Sequence, residues 1–180
     1  QIINKQFYKN ALATICQSKK HSEVVQKNTL LTNIVNMGGN IWTEHQFGTL
    51  ERNLNTQKNI EFALLRSQNK NKGMPAAINF CTTHGFEFEF IENQPYEEFI
   101  ENLSRVKNLV FFPQWLESYN RLSVEARILG CKLVTNNLLG AASEEYFKLK
   151  GEELLNYLVK NNETLFTRWK NMIENNQVDY

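Results

Sequence analysis

The sequence predicts an α/β protein with a doubly wound parallel sheet of the Rossmann-like type. Strand-like and helix-like segments alternate at least three times between Ile60 and Thr135, which is the pattern of a parallel sheet with helices on its faces. The composition agrees, because 42% hydrophobic and 22% charged residues are typical of a globular domain. With 180 residues, the chain is long enough for one domain with a full core.

The first third of the chain has weaker signals. Ala11–Gln17 is a short apolar run, and Ser18 after it is a fitting N-cap for a helix that continues to about Lys27. Leu31–Met37 is typical of a further strand. The polar stretch from Thr43 to Gln57 fits neither pattern clearly, so we assign it no element.

The elements from residue 60 onward follow in a regular order. Pro75 is typical of the first turn of a helix, and Gly130 is typical of the position after the last turn. The predicted elements are a strand Ile60–Leu65, a basic loop Arg66–Gly73, a helix Met74–Thr83, a strand Phe86–Ile91, a helix Pro95–Val106, a strand Leu109–Phe112, a helix Arg121–Leu129, a strand Lys132–Thr135 and a mostly helical segment Leu154–Ile173. Ligands of such sheets bind beyond the carboxyl ends of the strands, so we expect the Leu109–Phe112 strand to be central, with Glu117 beyond that end.

The amino-acid composition and the motifs argue against several classes of function. Lys and Arg total 20 against 19 Asp and Glu, which gives no argument for nucleic acid as a partner. The only aspartate is Asp179, so a D-x-D metal motif and other Asp-based sites are disfavoured. The three cysteines are far apart and form no CxxC pair, which disfavours zinc and disulfides. No G-x-G-x-x-G follows a strand, which disfavours a dinucleotide-dependent oxidoreductase.

Targeting signals are also missing from the sequence. No apolar run approaches the roughly 20 residues that span a bilayer, and the first residues have no signal-peptide pattern. We therefore expect a reducing cytoplasmic setting. The three histidines are scattered without ligand spacing, and we expect no metal site and no cofactor.

The most informative stretch follows the Leu109–Phe112 strand. Glu117 lies in the loop and Glu125 on the next helix, with Ser118 and Asn120 as alternative caps between them. The helix N-terminus offers free N–H groups and a partial positive charge to phosphates. Glu117 can accept hydrogen bonds from sugar hydroxyls and Glu125 from a ribose diol. Two carboxylates that bracket a diphosphate would suit a nucleotide sugar.

Here the sequence resembles the donor-binding domains of GT-B retaining glycosyltransferases, which carry two glutamates separated by seven residues. The segment from Leu139 to Glu144, a small-residue turn followed by a glutamate, is also similar to that family. So is the loop with Arg66 and the Lys72-Gly73 pair, which implies that both basic residues neutralise the diphosphate. Alone, each of these charges is more typical of a solvated loop, and the alternating strand–helix pattern around them reverses that preference.

The sequence departs from the family at three points. Asn120 stands where a glycine is usual and Arg121 where an apolar residue is common. Asn120 would alter the approach of the backbone to the phosphates, and Arg121 would either add a charge there or point to solvent. The usual glycine-rich segment is absent, and Phe86–Gln94 stands in its place.

The resemblance implies transfer of a hexosyl group from a nucleotide sugar, with retention, in polysaccharide biosynthesis. Glu117 would be the catalytic residue, and the donor-binding residues would be Arg66, Lys72, Gly73, Asn120, Arg121 and Glu125. Residues 57–180 would form the donor-binding domain, and residues 1–56 the tail of an acceptor-binding domain with its linker. With most of that N-terminal acceptor-binding domain missing, the fragment is expected to be inactive. Peripheral membrane association of the full enzyme stays open, as do a nucleotide-sugar epimerase and a non-catalytic binding domain on the same scaffold.

Overall fold

The structure, a computed structural model, describes residues 4–178, so Asp179 and residues 1–3 lie outside it. In the described part, strands β1 to β6 are Thr14–Cys16, Ile34–Asn36, Ile60–Leu65, Glu89–Ile91, Val106–Phe111 and Lys132–Thr135. Helices α1 to α7 are Lys5–Asn10, Lys19–Thr29, Glu44–Arg52, Met74–Thr83, Tyr96–Ser104, Arg121–Ile128 and Gly151–Asn175. Short 3-10 turns occupy Lys70–Lys72, Ala141–Ser143 and Glu145–Lys148. None of the helices in this part is both long and apolar enough to span a membrane.

The main sheet has four strands in the order β4-β3-β5-β6, and every pair is parallel. The chain passes from β3 outward to β4, then returns across β3 to β5 and continues to β6. The predicted α/β fold with a parallel, Rossmann-like sheet is therefore confirmed. The strand that contains Leu109 and Val110 lies centrally, between β3 and β6, as expected from its continuous apolar character.

Helices cover both faces of this sheet. On one face α4 packs with Ala77 and Cys81 against Leu64 and Val110. On the other face α3, α5, α6 and the first half of α7 form the larger core. Alternate residues of one strand serve opposite faces, so Ala63 belongs to the larger core while Leu64 belongs to the smaller one.

A second, two-stranded parallel sheet is formed by β1 and β2, with α2 as the connection between them. Its core is completed by Leu165 and Met172 from the second half of α7, so this one helix contributes to both parts of the protein. Glu144 links the two parts, since its carboxylate accepts hydrogen bonds from the Lys19 backbone N–H (2.7 Å) and the Asn36 amide (3.3 Å). The predicted helix after Ser18 is present, and the Ser18 hydroxyl caps it.

Several boundaries differ from the prediction, and the helix predicted to extend to Val106 ends at Ser104. Strand β5 begins at Val106, not Leu109, because Val106 pairs with Ile60 and is fully buried. Strand β4 is shorter than predicted, and Phe86 instead stacks on Phe62 (ring centroids 4.2 Å apart). The unassigned stretch after Thr43 forms α3, whose first turn has a capping box between Thr43 and Gln46.

Candidate functional site

The candidate site lies at the switch point of the sheet, beyond the carboxyl ends of β3 and β5. The chain leaves these neighbouring strands toward opposite edges, so their following loops diverge and leave a crevice. The loop after β3 carries Lys72, and the loop after β5 carries Glu117. Both loops also precede helices on the two faces of the sheet, which brings helix N-termini to the same rim.

Gly73 holds the first of these loops against the second. Its φ of +68° ends the Lys70–Lys72 turn, and a Cβ at this position would lie 2.7 Å from the Phe112 carbonyl carbon. The Gln114 N–H adds a hydrogen bond to the Asn71 carbonyl (2.9 Å). Only glycine accepts both the backbone conformation and the close approach, which explains the Lys72-Gly73 pair in structural terms.

Glu117 is held by the chain that follows β6. Its N–H donates to the Leu138 carbonyl (2.9 Å), and its carbonyl accepts from the Gly140 N–H (2.8 Å), as in a short parallel bridge. A Cβ on Gly140 would meet the Ser118 carbonyl carbon at 2.6 Å, so glycine is required here as well. The Ser18 hydroxyl donates to the same Ser118 carbonyl (2.6 Å), which ties this loop to the start of α2.

Three of the predicted residues, Lys72, Glu117 and Asn120, form a cluster that we call the Glu117 cluster. The Lys72 Nζ lies 2.9 Å from Glu117 Oε1 and 3.0 Å from Oε2, and the Asn120 Nδ2 donates to Oε2 (3.3 Å). The side chains of Lys72 and Glu117 are 30% and 18% exposed, so the pair is partly shielded but reachable. An ammonium group has three N–H donors, so one of those on Lys72 stays available to a ligand.

Two other predicted residues, Arg121 and Glu125, lie in a second group that we call the Glu125 cluster. Glu125 is buried, and its Oε1 accepts from the Tyr96 hydroxyl (3.2 Å), the Trp42 indole N–H (3.4 Å) and Arg121 (3.4 Å). The Arg121 guanidinium also lies over the Trp42 ring, 4.9 Å from its centroid. None of the described hydrogen bonds involves Glu125 Oε2.

Burial sets the electrostatics of the Glu125 cluster. Loss of solvent raises the pKa of Glu125, and the charge of Arg121 together with the hydrogen bonds from Trp42 and Tyr96 partly offsets that rise. Burial, with the nearby Glu125 charge, also raises the pKa of the Tyr96 hydroxyl, which stays a donor at neutral pH. The cluster is therefore a shielded carboxylate whose donors all come from this chain.

Arg66 lies at the same rim but on its β4 side. Its Nε is 2.6 Å from Glu92 Oε1, and its guanidinium lies 4.1 Å from the centroid of the Phe90 ring. Because Leu65 pairs with Ile91, Arg66 and Glu92 are the first residues beyond two neighbouring strand ends. The structure thus brings Lys72, Glu117 and Asn120 together, and pairs Arg66 with Glu92 instead.

Four partners in these groups are not evident from the sequence pattern. Glu92 lies in the loop after a predicted strand, where the rule for parallel sheets already directs attention. Trp42 precedes a stretch without a clear pattern, and Tyr96 fits equally well into an apolar helix stripe. Ser18 is predicted as a helix cap, but its contact with Ser118 joins parts of the chain that no local pattern connects.

The arrangement suits an anionic ligand with hydroxyl groups. A partly exposed ammonium, a carboxylate and the N-terminus of α6 lie at one rim, with Arg66 at the same rim and Arg121 as the first residue of α6. In residues 4–178 there is no group of three or more His, Cys, Asp or Glu side chains that could hold a metal ion.

Comparison with known proteins gives structural matches only. No family of known sequences matches the chain, and neither does a curated protein. Sucrose-phosphate synthase from Thermosynechococcus elongatus is similar with a TM-score of 0.62 and 11% identity, over 94% of this chain and 60% of that one. HepE from Anabaena, solved in complex with UDP and glucose, is similar with a TM-score of 0.50 and 15% identity, over 97% of this chain and 58% of that one.

These matches concern the fold. The chain spans about 60% of the length of the two solved structures. Over most of its residues it has the α/β, Rossmann-like architecture of GT-B glycosyltransferases, with a parallel sheet.

Proposed function

We propose that this chain is the donor-binding domain of a GT-B glycosyltransferase, which transfers a sugar from a nucleotide sugar with retention of configuration. The observation that carries the proposal is the Lys72–Glu117 pair, which lies beside the N-terminus of α6 at the switch point of a parallel sheet. A diphosphate and a sugar need a cation, free N–H groups and a hydroxyl acceptor close together, and this rim provides all three.

The leaving group of the reaction is a nucleoside diphosphate, whose negative charge grows as the glycosidic bond breaks. Lys72 would meet that charge with its remaining N–H while Glu117 keeps it in place. The first N–H groups of α6 and its partial positive charge would add to this stabilisation. Glu117 would act as the catalytic residue by orienting the transferred sugar through its hydroxyl groups.

The nucleoside would extend toward the Glu125 cluster. Glu125 Oε2 is the oxygen that could accept a ribose hydroxyl, because Oε1 already receives the Trp42, Tyr96 and Arg121 donors. Gly73 and Asn120 would let the loop backbone approach the phosphates. Arg66 would reach the diphosphate only after it separates from Glu92.

UDP is the first nucleotide to test, because HepE was solved with UDP and glucose. The proposal predicts that Glu125→Ala weakens UDP binding by about 1.5–3 kcal/mol, the value of a hydrogen bond to a charged group. Glu117→Ala should leave UDP binding nearly unchanged but weaken UDP-glucose, since only the intact donor has the transferred sugar. Calorimetric titration of both variants with both ligands measures this difference, and equal losses against UDP would refute the assigned roles.

A matched control is available at the opposite end of the sheet. Glu61 and Lys107 form a second Lys–Glu pair between β3 and β5, at 2.6 Å, which is more exposed than the Lys72–Glu117 pair. Glu61→Ala should change neither UDP nor UDP-glucose binding. A loss of the same size in this variant would show that the Glu117 effect is a general consequence of removing a sheet carboxylate.

A second candidate is a non-catalytic domain on the same scaffold. The pairing of Arg66 with Glu92 and of Arg121 with Glu125 favours it, because both arginines are neutralised without a ligand. Such a domain should show no preference for UDP-glucose over UDP.

For the enzyme, we expect this chain alone to bind the donor but to transfer little sugar, since the acceptor side would come from elsewhere.

A further inference from the structure

Asn120 has an unusual backbone conformation for the residue that begins a helix. It caps α6 with φ 73° and ψ 88°, whereas the caps Ser18 and Thr43 are extended. The other non-glycine residues with positive φ in residues 4–178 are Leu30 and Asn176, and both follow the last residue of a helix, where this conformation is common. A left-handed asparagine at a helix start is strained, so an interaction of its side chain should compensate.

The two ends of the Asn120 side-chain amide have different partners. Oδ1 accepts from the Ser123 backbone N–H (2.8 Å), which is the ordinary N-cap bond. Nδ2 donates to Glu117 Oε2 (3.3 Å). The partners fix which end is which, because a backbone N–H requires an acceptor and a carboxylate requires a donor. Aspartate could make only the first bond, and glycine neither.

We propose that Asn120 is a positioning residue, which holds the Glu117 carboxylate so that both of its oxygens stay on Lys72. The proposal deepens the proposed function and rests on it. With Asn120 and Lys72 both bound to it, the Glu117 carboxylate has a fixed position from which to accept hydroxyl groups of the transferred sugar, which UDP lacks. Asn120 therefore acts on the donor through Glu117, and its direct contact with phosphate is not required.

Two substitutions separate the cap from the contact with Glu117. Asn120→Asp keeps an acceptor for the Ser123 N–H but loses the donor and adds a negative charge beside Glu117. Asn120→Gly removes both bonds while it relieves the positive φ. Asn176→Gly, at the positive-φ residue after α7, controls for the general effect of replacing a left-handed asparagine by glycine.

The first measurement is calorimetric titration with UDP and UDP-glucose. In both Asn120 variants we expect UDP-glucose binding to weaken about tenfold relative to UDP binding, the loss of a hydrogen bond to a charged group. Asn176→Gly should bind both ligands like the wild type. A wild-type preference for UDP-glucose in Asn120→Asp would overturn the proposal, because Asn120 would then be a helix cap only.

The second measurement needs no ligand and is NMR observation of the Lys72 side-chain ammonium. An ion pair with both Glu117 oxygens slows hydrogen exchange of this group, so we expect its signal in the wild type and its loss in Asn120→Gly. An unchanged signal in Asn120→Gly, or none in the wild type, would overturn the proposal. Failure of the wild type to bind either nucleotide would instead refute the proposed function, and the NMR comparison would still decide whether Asn120 holds the pair.

Discussion

Replacement of Gly73 by alanine tests how the two loops of the candidate site are held together. The positive φ of Gly73 alone costs a non-glycine residue about 1–2 kcal/mol. The new Cβ would also lie 2.7 Å from the Phe112 carbonyl carbon, and the Gln114–Asn71 hydrogen bond (2.9 Å) resists separation of the loops. With about 1–3 kcal/mol of added backbone strain, Gly73→Ala should lower the free energy of unfolding by about 2–5 kcal/mol.

Gly85 provides a matched control for this substitution. Its φ is +67°, nearly that of Gly73, but a Cβ at Gly85 would meet no atom within 4 Å. Gly85→Ala should therefore cost only the conformational part, about 1–2 kcal/mol. Urea denaturation of both variants gives the two losses, with equal m-values as the check that the denatured states are comparable. Equal losses would refute the reasoning, because the clash with Phe112 would then contribute nothing.

Three further substitutions address the charges of the site. Lys72→Ala should weaken UDP binding by about 1.5–3 kcal/mol in calorimetry, while urea denaturation shows a stability loss of no more than about 1 kcal/mol for a partly exposed pair. Glu92→Gln should release Arg66 and tighten UDP binding by up to about fivefold, the value of an exposed ion pair; unchanged or weaker binding would exclude Arg66 as a ligand of the diphosphate. For Glu125→Gln, the difference in stability between the variant and the wild type should shift in favour of the variant as the pH rises from about 5 to about 8. Thermal unfolding of both proteins measures this difference.

The sign of the pH effect follows from the burial of Glu125. Its pKa is raised in the folded state, so between the unfolded and folded values the folded protein binds more protons than the unfolded one. The contribution of Glu125 to wild-type stability is therefore fully present below the unfolded pKa and is lost as the pH rises through the folded one. Glutamine has no such titration but still accepts from Trp42 and Tyr96. A pH-independent difference between the two proteins would show that Glu125 is ionised equally easily in both states.

Local patterns are sufficient for the elements that begin and end with strong signals. Ile60–Leu65, Met74–Thr83 and Lys132–Thr135 have the predicted boundaries, because Pro75 and abrupt changes from polar to apolar residues define them. The start of β5 differs from the prediction because Lys107 and Asn108 interrupt the apolar run, although both interact with Glu61 on β3. Their polarity reflects an exposed position near the start of the strand, not a loop.

Helix α3 was not predicted, for a different reason. Its capping box between Thr43 and Gln46 is readable in the sequence, but the polar composition of the stretch obscures it. Leu50 and Trp42, which is just before this helix, are buried in the main core. A helix with few apolar residues is still stabilised when those few are fully buried. That burial depends on tertiary packing, which a local sequence pattern does not show.

The candidate site is predictable as a location but not as a network. Ligands of parallel sheets bind beyond the carboxyl ends of the strands, and this rule correctly places Lys72 and Glu117 at one rim. The rule depends only on strand order and direction. Which carboxylate each cation contacts depends on the register of neighbouring strands, because that register decides which residues of the following loops lie side by side. The pairing of Arg66 with Glu92 follows from Leu65 facing Ile91 in the sheet, and no spacing within one segment encodes that relation.

The internal pairing of the three cations implies an order in which a diphosphate would recruit them. Lys72 binds without losing Glu117, because it keeps one N–H donor. Arg66 must leave an exposed pair worth about 0–1 kcal/mol, which a charge-assisted bond to phosphate offsets. Arg121 must leave a buried carboxylate, and an uncompensated buried charge costs about 3–5 kcal/mol. Arg121 is 31% exposed, so the lower end of about 3 kcal/mol applies, and one phosphate contact reaches that value only at the upper end of its range of about 1.5–3 kcal/mol. Lys72 should therefore bind first and Arg66 second, while Arg121 stays with Glu125 and supports the nucleoside side of the site.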